Sequence, residues 1–132
     1  VDAWDVLMTM IGTVGDVLLV TREPDYVIKN IALIKLNGNI KLSLYFYNWL
    51  KSRIGQEAIK SRLSGTSQQF ISLGNLRKLP VNIPEDDEDL DTFYKKVAPL
   101  VKLQDILRTQ NSILTKSRDA LLPKLMSGEI EV

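Results

Sequence analysis

Asp5-Val-Leu-Met-Thr-Met-Ile-Gly-Thr-Val-Gly-Asp-Val-Leu-Leu-Val20 reads as two short apolar strands, residues 5–10 and 17–20, with a turn between them. Gly12 and Gly15 suit a reversing chain, and Thr13 falls at the tip. Residues 26–36 read as a third strand, with Val27, Ile31, Leu33 and Ile34 apolar. Asn37-Gly38-Asn39 is a strong turn signal. From Lys41 the period changes from two to that of a helix. Leu42, Tyr45, Phe46, Trp49 and Leu50 fall at i, i+3, i+4, i+7 and i+8, which predicts a buried face and leaves Tyr47 off it. Gly55 is expected to interrupt this helix, with residues 56–63 continuing it. Residues 71–79 read as a short helix or turn. Pro80-Val-Asn-Ile-Pro84 should be extended, because a residue preceding proline is pushed out of the helical region.

The last third changes character. Leu90, Phe93, Val97, Leu100, Gln104, Leu107, Asn111, Leu114, Arg118 and Leu121 are spaced alternately three and four apart, a heptad seam. Leu103, Ile106, Gln110 and Ile113 form a second stripe beside it. A helix of roughly thirty residues is about 45 Å long, too long to bury both stripes on so small a domain, so it should seek another helix. Pro99 predicts a kink or break. Pro123 is expected to turn the chain and Ser127-Gly128 to stop it.

Composition removes several functions. The chain has no cysteine and no histidine, which excludes disulfides, cysteine-based zinc sites and histidine acid–base chemistry. Gly12-Thr-Val-Gly15 lacks the Gly-Lys-Ser/Thr ending of a phosphate loop and the spacing of a dinucleotide fingerprint. The carboxylates cluster in one polar run, not in an apolar pocket. No catalytic set is apparent, no cofactor is expected, and no apolar run is long enough to span a membrane. The absence of cysteine suits a cytoplasmic protein.

The net charge of +1 conceals segregation. Residues 1–84 carry ten Lys/Arg against six Asp/Glu, residues 85–91 carry six acids and no base, and residues 92–132 carry seven bases against four acids. A basic first domain suits a polyanionic partner. The acidic run suits a helix start, where negative charge complements the macrodipole.

Three segments in order, residues 5–20, residues 65–84 and Arg118-Asp-Ala-Leu-Leu-Pro-Lys-Leu-Met-Ser-Gly-Glu-Ile130, resemble the DNA specificity subunits of type I restriction–modification systems. The resemblance covers one target-recognition domain and the spacer helix after it. It implies an α+β fold: a small mixed domain of strands and short helices over residues 1–84, an acidic linker or helix start at 85–91, and a spacer helix with its tail over 92–132. It implies that the helix pairs as an antiparallel coiled coil. It also implies partners: double-stranded DNA, the methyltransferase subunits and, through them, the restriction subunit. Without its counterpart the helix is expected to self-associate, giving a homodimer through Phe93, Val97, Leu100, Leu103, Leu107, Asn111, Leu114 and Leu121. Two features depart from the family. The chain starts directly at a strand, as an N-terminally incomplete domain would, and Glu85–Asp91 stands where a Pro-Leu-Glu-Glu-Gln run is common.

Candidate DNA contacts follow from chemistry and from this resemblance. Thr13 lies at a turn where glycines permit close approach. Asn30 carries the amide that pairs bidentate with adenine, and Lys29 beside it can reach phosphate or guanine. Thr66, Ser67, Gln68 and Gln69 offer hydroxyls and amides for phosphates and base edges. Lys35, Arg77 and Lys78 are phosphate candidates, with Lys41, Lys51, Arg53, Lys60 and Arg62 as further basic positions. The rival reading, from another class, is a non-enzymatic protein-interaction module with an oligomerising helix.

Overall fold

The computed structural model describes residues 1–21 and 29–131. They form two compact units, Val1–Val97 and Ala98–Val132.

The first unit is built on a three-stranded antiparallel sheet: β1 (Val6–Thr9), β2 (Val17–Leu19) and β3 (Ile31–Ile34), in the order β2-β1-β3. The register pairs Val6 with Leu19 and Ile34, and Met8 with Val17 and Ala32. Because strand side chains alternate, Val6 and Met8 share one face, and both are fully buried with Leu19 and Ala32. Leu7 lies on the other face between Leu18 and Leu33, which are 38% and 39% exposed. The β1–β2 hairpin forms where the glycines indicated. β3 takes up only residues 31–34 of the expected third strand; 29–30 and 35–36 are not strand, and 26–28 lie outside the described residues.

Helix α1 (Ile40–Lys51) packs on the sheet across β1 and β2. Asn39 caps it, accepting from the Leu42 amide at 3.1 Å, so the asparagine of the turn signal also starts the helix. Its buried face differs from the sequence expectation. Ser43, Leu44, Tyr47 and Leu50 are buried, whereas Leu42, Tyr45, Phe46 and Trp49 are only partly covered. Residues 42–50 are apolar nearly all round, and two faces about 100° apart both satisfy helical spacing. The fold buries the one that carries the small Ser43.

The helix does not run on to Gly55. Ser52 ends α1 and caps α2 (Arg53–Lys60), accepting from the Gly55 amide at 3.1 Å. Gly55 is buried inside α2, and a Cβ there would sit 2.1 Å from the Trp49 carbonyl oxygen. The glycine therefore permits close packing of two helices and does not break one. Helix α3 (Leu73–Arg77) is a short turn capped by Ser72.

Helix α4 (Asp87–Met126) begins in the acidic run, where the Asp86 carboxylate accepts from the Glu88 amide at 2.9 Å. Its first turns close the first unit: Leu90 is buried, Phe93 meets the Tyr45 ring edge-on with centroids 5.4 Å apart, and Asp91 pairs with Lys41. Two expected interruptions are absent here. Pro99 does not break the helix, since proline removes a single ladder bond and the turns on either side keep their own. Pro123 does not turn the chain but lies within the final turns. The stop is at Gly128, with φ +78°; its amide donates to Leu125 at 3.3 Å and that of Glu129 donates to Lys124 at 3.0 Å, a Schellman closure.

Candidate nucleic-acid interface

Three loops that are far apart in sequence meet at one end of the sheet, around Met10. The Met10 amide donates to the Asn30 carbonyl at 3.2 Å, and the Met10 carbonyl accepts from Ile71 at 2.9 Å. Gly12 donates to the Gln69 carbonyl at 2.9 Å, and Ile11 bridges Phe70. Phe70 in turn exchanges both backbone bonds with Ser64, each 2.9 Å. Residues 29–30, 10–12, 69–71 and 64 thus lie side by side as a small ribbon.

Each loop has its own reason for its shape. In the β1–β2 turn the Thr9 hydroxyl donates to the Thr13 carbonyl and accepts from the Asp16 amide. Gly15 at φ +93° lies under α2, where Gln56 donates to its carbonyl at 2.9 Å. The 64–70 loop closes tightly: Gly65 has φ +95°, and a Cβ there would meet the Gln68 carbonyl oxygen at 2.2 Å. Asn30 takes φ +60°, a left-handed conformation that asparagine adopts more readily than most residues. Backbone geometry alone therefore gives one reason for this residue, apart from any contact its amide makes.

The structure brings Thr13, Lys29, Asn30, Thr66, Ser67, Gln68 and Gln69 onto these joined loops, all exposed. Among the described residues, the side chains of Thr66, Ser67, Gln68 and Gln69 have no hydrogen-bond partner, so their amides and hydroxyls face solvent unsatisfied by protein. Lys35 is placed elsewhere. It lies past the far end of β3, where its ammonium donates to Asp2 at 2.7 Å. That hydrogen bond, with the attraction between the two charges, raises the Lys35 pKa and lowers that of Asp2. Arg77 ends α3 and Lys78 caps it, both exposed.

The basic residues sort by what they already hold. Lys41 is paired with Asp91 and Arg53 with Glu57. Lys51 donates to the Tyr47 hydroxyl and Arg62 to the Ala58 carbonyl. Lys29, Lys60, Arg77 and Lys78 make no ion pair among the described residues, which leaves their charge available to a polyanion. Asp16 is the one acid in residues 10–16, 29–30 and 64–71. No group of acidic side chains suited to hold a metal occurs among the described residues.

The model of the type I restriction modification DNA specificity domain matches residues 1–116. The chain belongs to that family. The matched span runs from the sheet through most of α4, and residues 118–130 lie beyond it. A comparison with curated proteins gives no match. Among the described residues, no helix of the domain is long and apolar enough to cross a membrane.

Sequence reasoning missed two residues of this region. Ile11 and Phe70 are 43% and 41% exposed at the centre of the ribbon. Apolar residues beside turn glycines look like ordinary strand ends, and only the pairing of two distant segments sets them together in the open.

In the second unit the seam residues Leu100, Leu107, Leu114 and Leu121 are 65%, 49%, 65% and 48% exposed, and Leu103, Ile106 and Ile113 are exposed beside them. Asn111 lies on the same open stretch. Phe93, by contrast, is occupied by Tyr45 of its own unit.

Proposed function

We propose that this specificity domain is the non-catalytic DNA reader of a type I restriction–modification complex, recognising one half of a bipartite site in double-stranded DNA. The observation that carries this reading is the convergence of the three polar loops on Met10. Thr13, Asn30 and residues 66–69, all exposed on these joined loops, offer hydroxyls and amides, and Lys29 on the same loops makes no ion pair among the described residues. Amides and hydroxyls read base edges, and Lys29, with Arg77 and Lys78, would hold phosphates and fix the register. Lys35, engaged by Asp2, contributes less.

A small domain reads only a few base pairs, so a second half-site at a fixed distance is needed for useful specificity. The exposed seam of α4 supplies the means: it pairs antiparallel with another helix as a coiled coil, sets the spacing, and offers surface on which methyltransferase subunits dock. A restriction subunit joins through them. Where the counterpart helix is missing, a second copy of this chain takes its place. Such a complex works on DNA in the cytoplasm.

Binding to a random-sequence duplex over a range of salt tests the reading. Affinity should fall as salt rises, with a slope of about −0.9 per phosphate contact. Lys29→Glu with Lys78→Glu should flatten that slope, whereas Lys35→Glu should leave it nearly unchanged. Salt-independent binding, or none at low salt, would instead favour a protein-interaction module.

A further inference from the structure

Ile11 and Phe70 stand opposite each other in the bridge between the 10–16 and 64–70 loops. The flanking bonds, Gly12 to Gln69 and Ile71 to Met10, make them a non-hydrogen-bonded pair. In such a pair the Cα atoms approach to about 4.5 Å and both side chains leave the ribbon on the same face. The adjacent Ile71 points the opposite way and is 1% exposed. The core is therefore served by the other face, and this one is apolar, open and central to loops that are otherwise polar.

The pair is also held in place. The Phe70 ring rests against Gly65, where a Cβ would lie 3.3 Å from ring carbon Cδ1. Gln68 lies on the same loop two residues before Phe70, its Nε2 4.0 Å from a Cβ built on Gly12. A fixed apolar spot beside side-chain amides without protein partners is complementary to one base pair in particular. The thymine of an A·T pair presents a methyl group in the major groove, and its adenine presents the donor and acceptor that an amide pairs with.

We infer that Ile11 and Phe70 form an apolar reader of the thymine 5-methyl group in duplex DNA, with Gln68 taking the paired adenine. This rests on the DNA-reading function proposed above and adds a specific base to it.

Deoxyuridine isolates the methyl, because it keeps thymidine's hydrogen-bonding edges and lacks only that group. The chain is first used to select binders from a randomised duplex pool. Each thymidine of the selected site is then replaced in turn by deoxyuridine. One position should weaken binding by about fourfold, the loss expected for one buried methyl. Ile11→Ala with Phe70→Ala should bind both versions alike. If that double variant fails to fold, by circular dichroism, the ratio measured with the unaltered chain decides the matter alone. Selected duplexes that lack thymidine, or that bind equally with deoxyuridine at every position, overturn the inference and leave DNA reading intact. Failure to bind any duplex at low salt removes both.

Discussion

The Gln56 side-chain amide donates to the carbonyls of Gly15 and Leu50, each at 2.9 Å, and so ties the β1–β2 turn to the junction of α1 and α2. Gln56 is half-buried, and the turn it holds carries Thr13 and leads into the Gly12–Gln69 bond. Gln56→Leu keeps the bulk and removes the donor. It should cost about 1–3 kcal/mol, the range for leaving a buried acceptor unpaired, read from the denaturant midpoint. Amide exchange should quicken at Gly15 and Asp16 more than in α1. Unchanged exchange there would mean that the turn holds itself.

Ser43 is fully buried and its hydroxyl has no hydrogen-bond partner. Ser43→Ala removes an unsatisfied polar group and improves helix propensity. Stability should rise by about 1 kcal/mol, read as a higher denaturant midpoint at constant slope. A fall would show that the hydroxyl finds a partner in solution.

Ser43 also shows where the sequence stopped being legible. The hairpin, the Asn37–Asn39 turn, the helix that follows and the long α4 all follow from local chemistry: turn glycines, a cap and heptad spacing. The face that α1 buries does not, because Leu42, Tyr45, Phe46 and Trp49 make as good a stripe as Leu44, Tyr47 and Leu50. A polar Ser43 on the buried face argues for the wrong choice. Gly55 is ambiguous for a similar reason, since a helix end and a close helix contact both use small residues. The interface was legible in part. Hydroxyls, amides and lysines were visible as residue types, but the ribbon joining residues 11, 30, 64 and 70 depends on long-range pairing that no local pattern records.

Lys41 sets the titration of Asp91. Its hydrogen bond outweighs the opposing effect of desolvation and, with a lesser contribution from its charge, holds the Asp91 carboxyl below the ordinary 3.8. A depressed carboxyl favours the folded state above its unfolded pKa, and that contribution is lost as pH falls through the lower folded value. Both side chains are about half exposed, so the stability effect is small. Carboxyl chemical shifts should show Asp91 titrating below 3.8, and Lys41→Met should return it to the ordinary range. An Asp91 curve that ignores this substitution would mean that the pair does not persist in solution.

The α4 seam should drive association. Sedimentation of the chain across a range of concentrations should show a species of twice the monomer mass. Leu107→Asp with Leu114→Asp should abolish that species, because charge on a helix-pairing seam must be desolvated to assemble. These leucines are exposed in the chain itself, so its folding should survive. Association that persists in the double variant would place the contact elsewhere.

The central claim is that this chain reads DNA sequence, and selection from a randomised duplex pool at two salt concentrations tests it most directly. The account predicts enrichment of one short motif of about 3–5 base pairs, the span of a single small module, with weaker binding at the higher salt. Recovery of no duplex at low salt, or of duplexes without a shared motif, would contradict it.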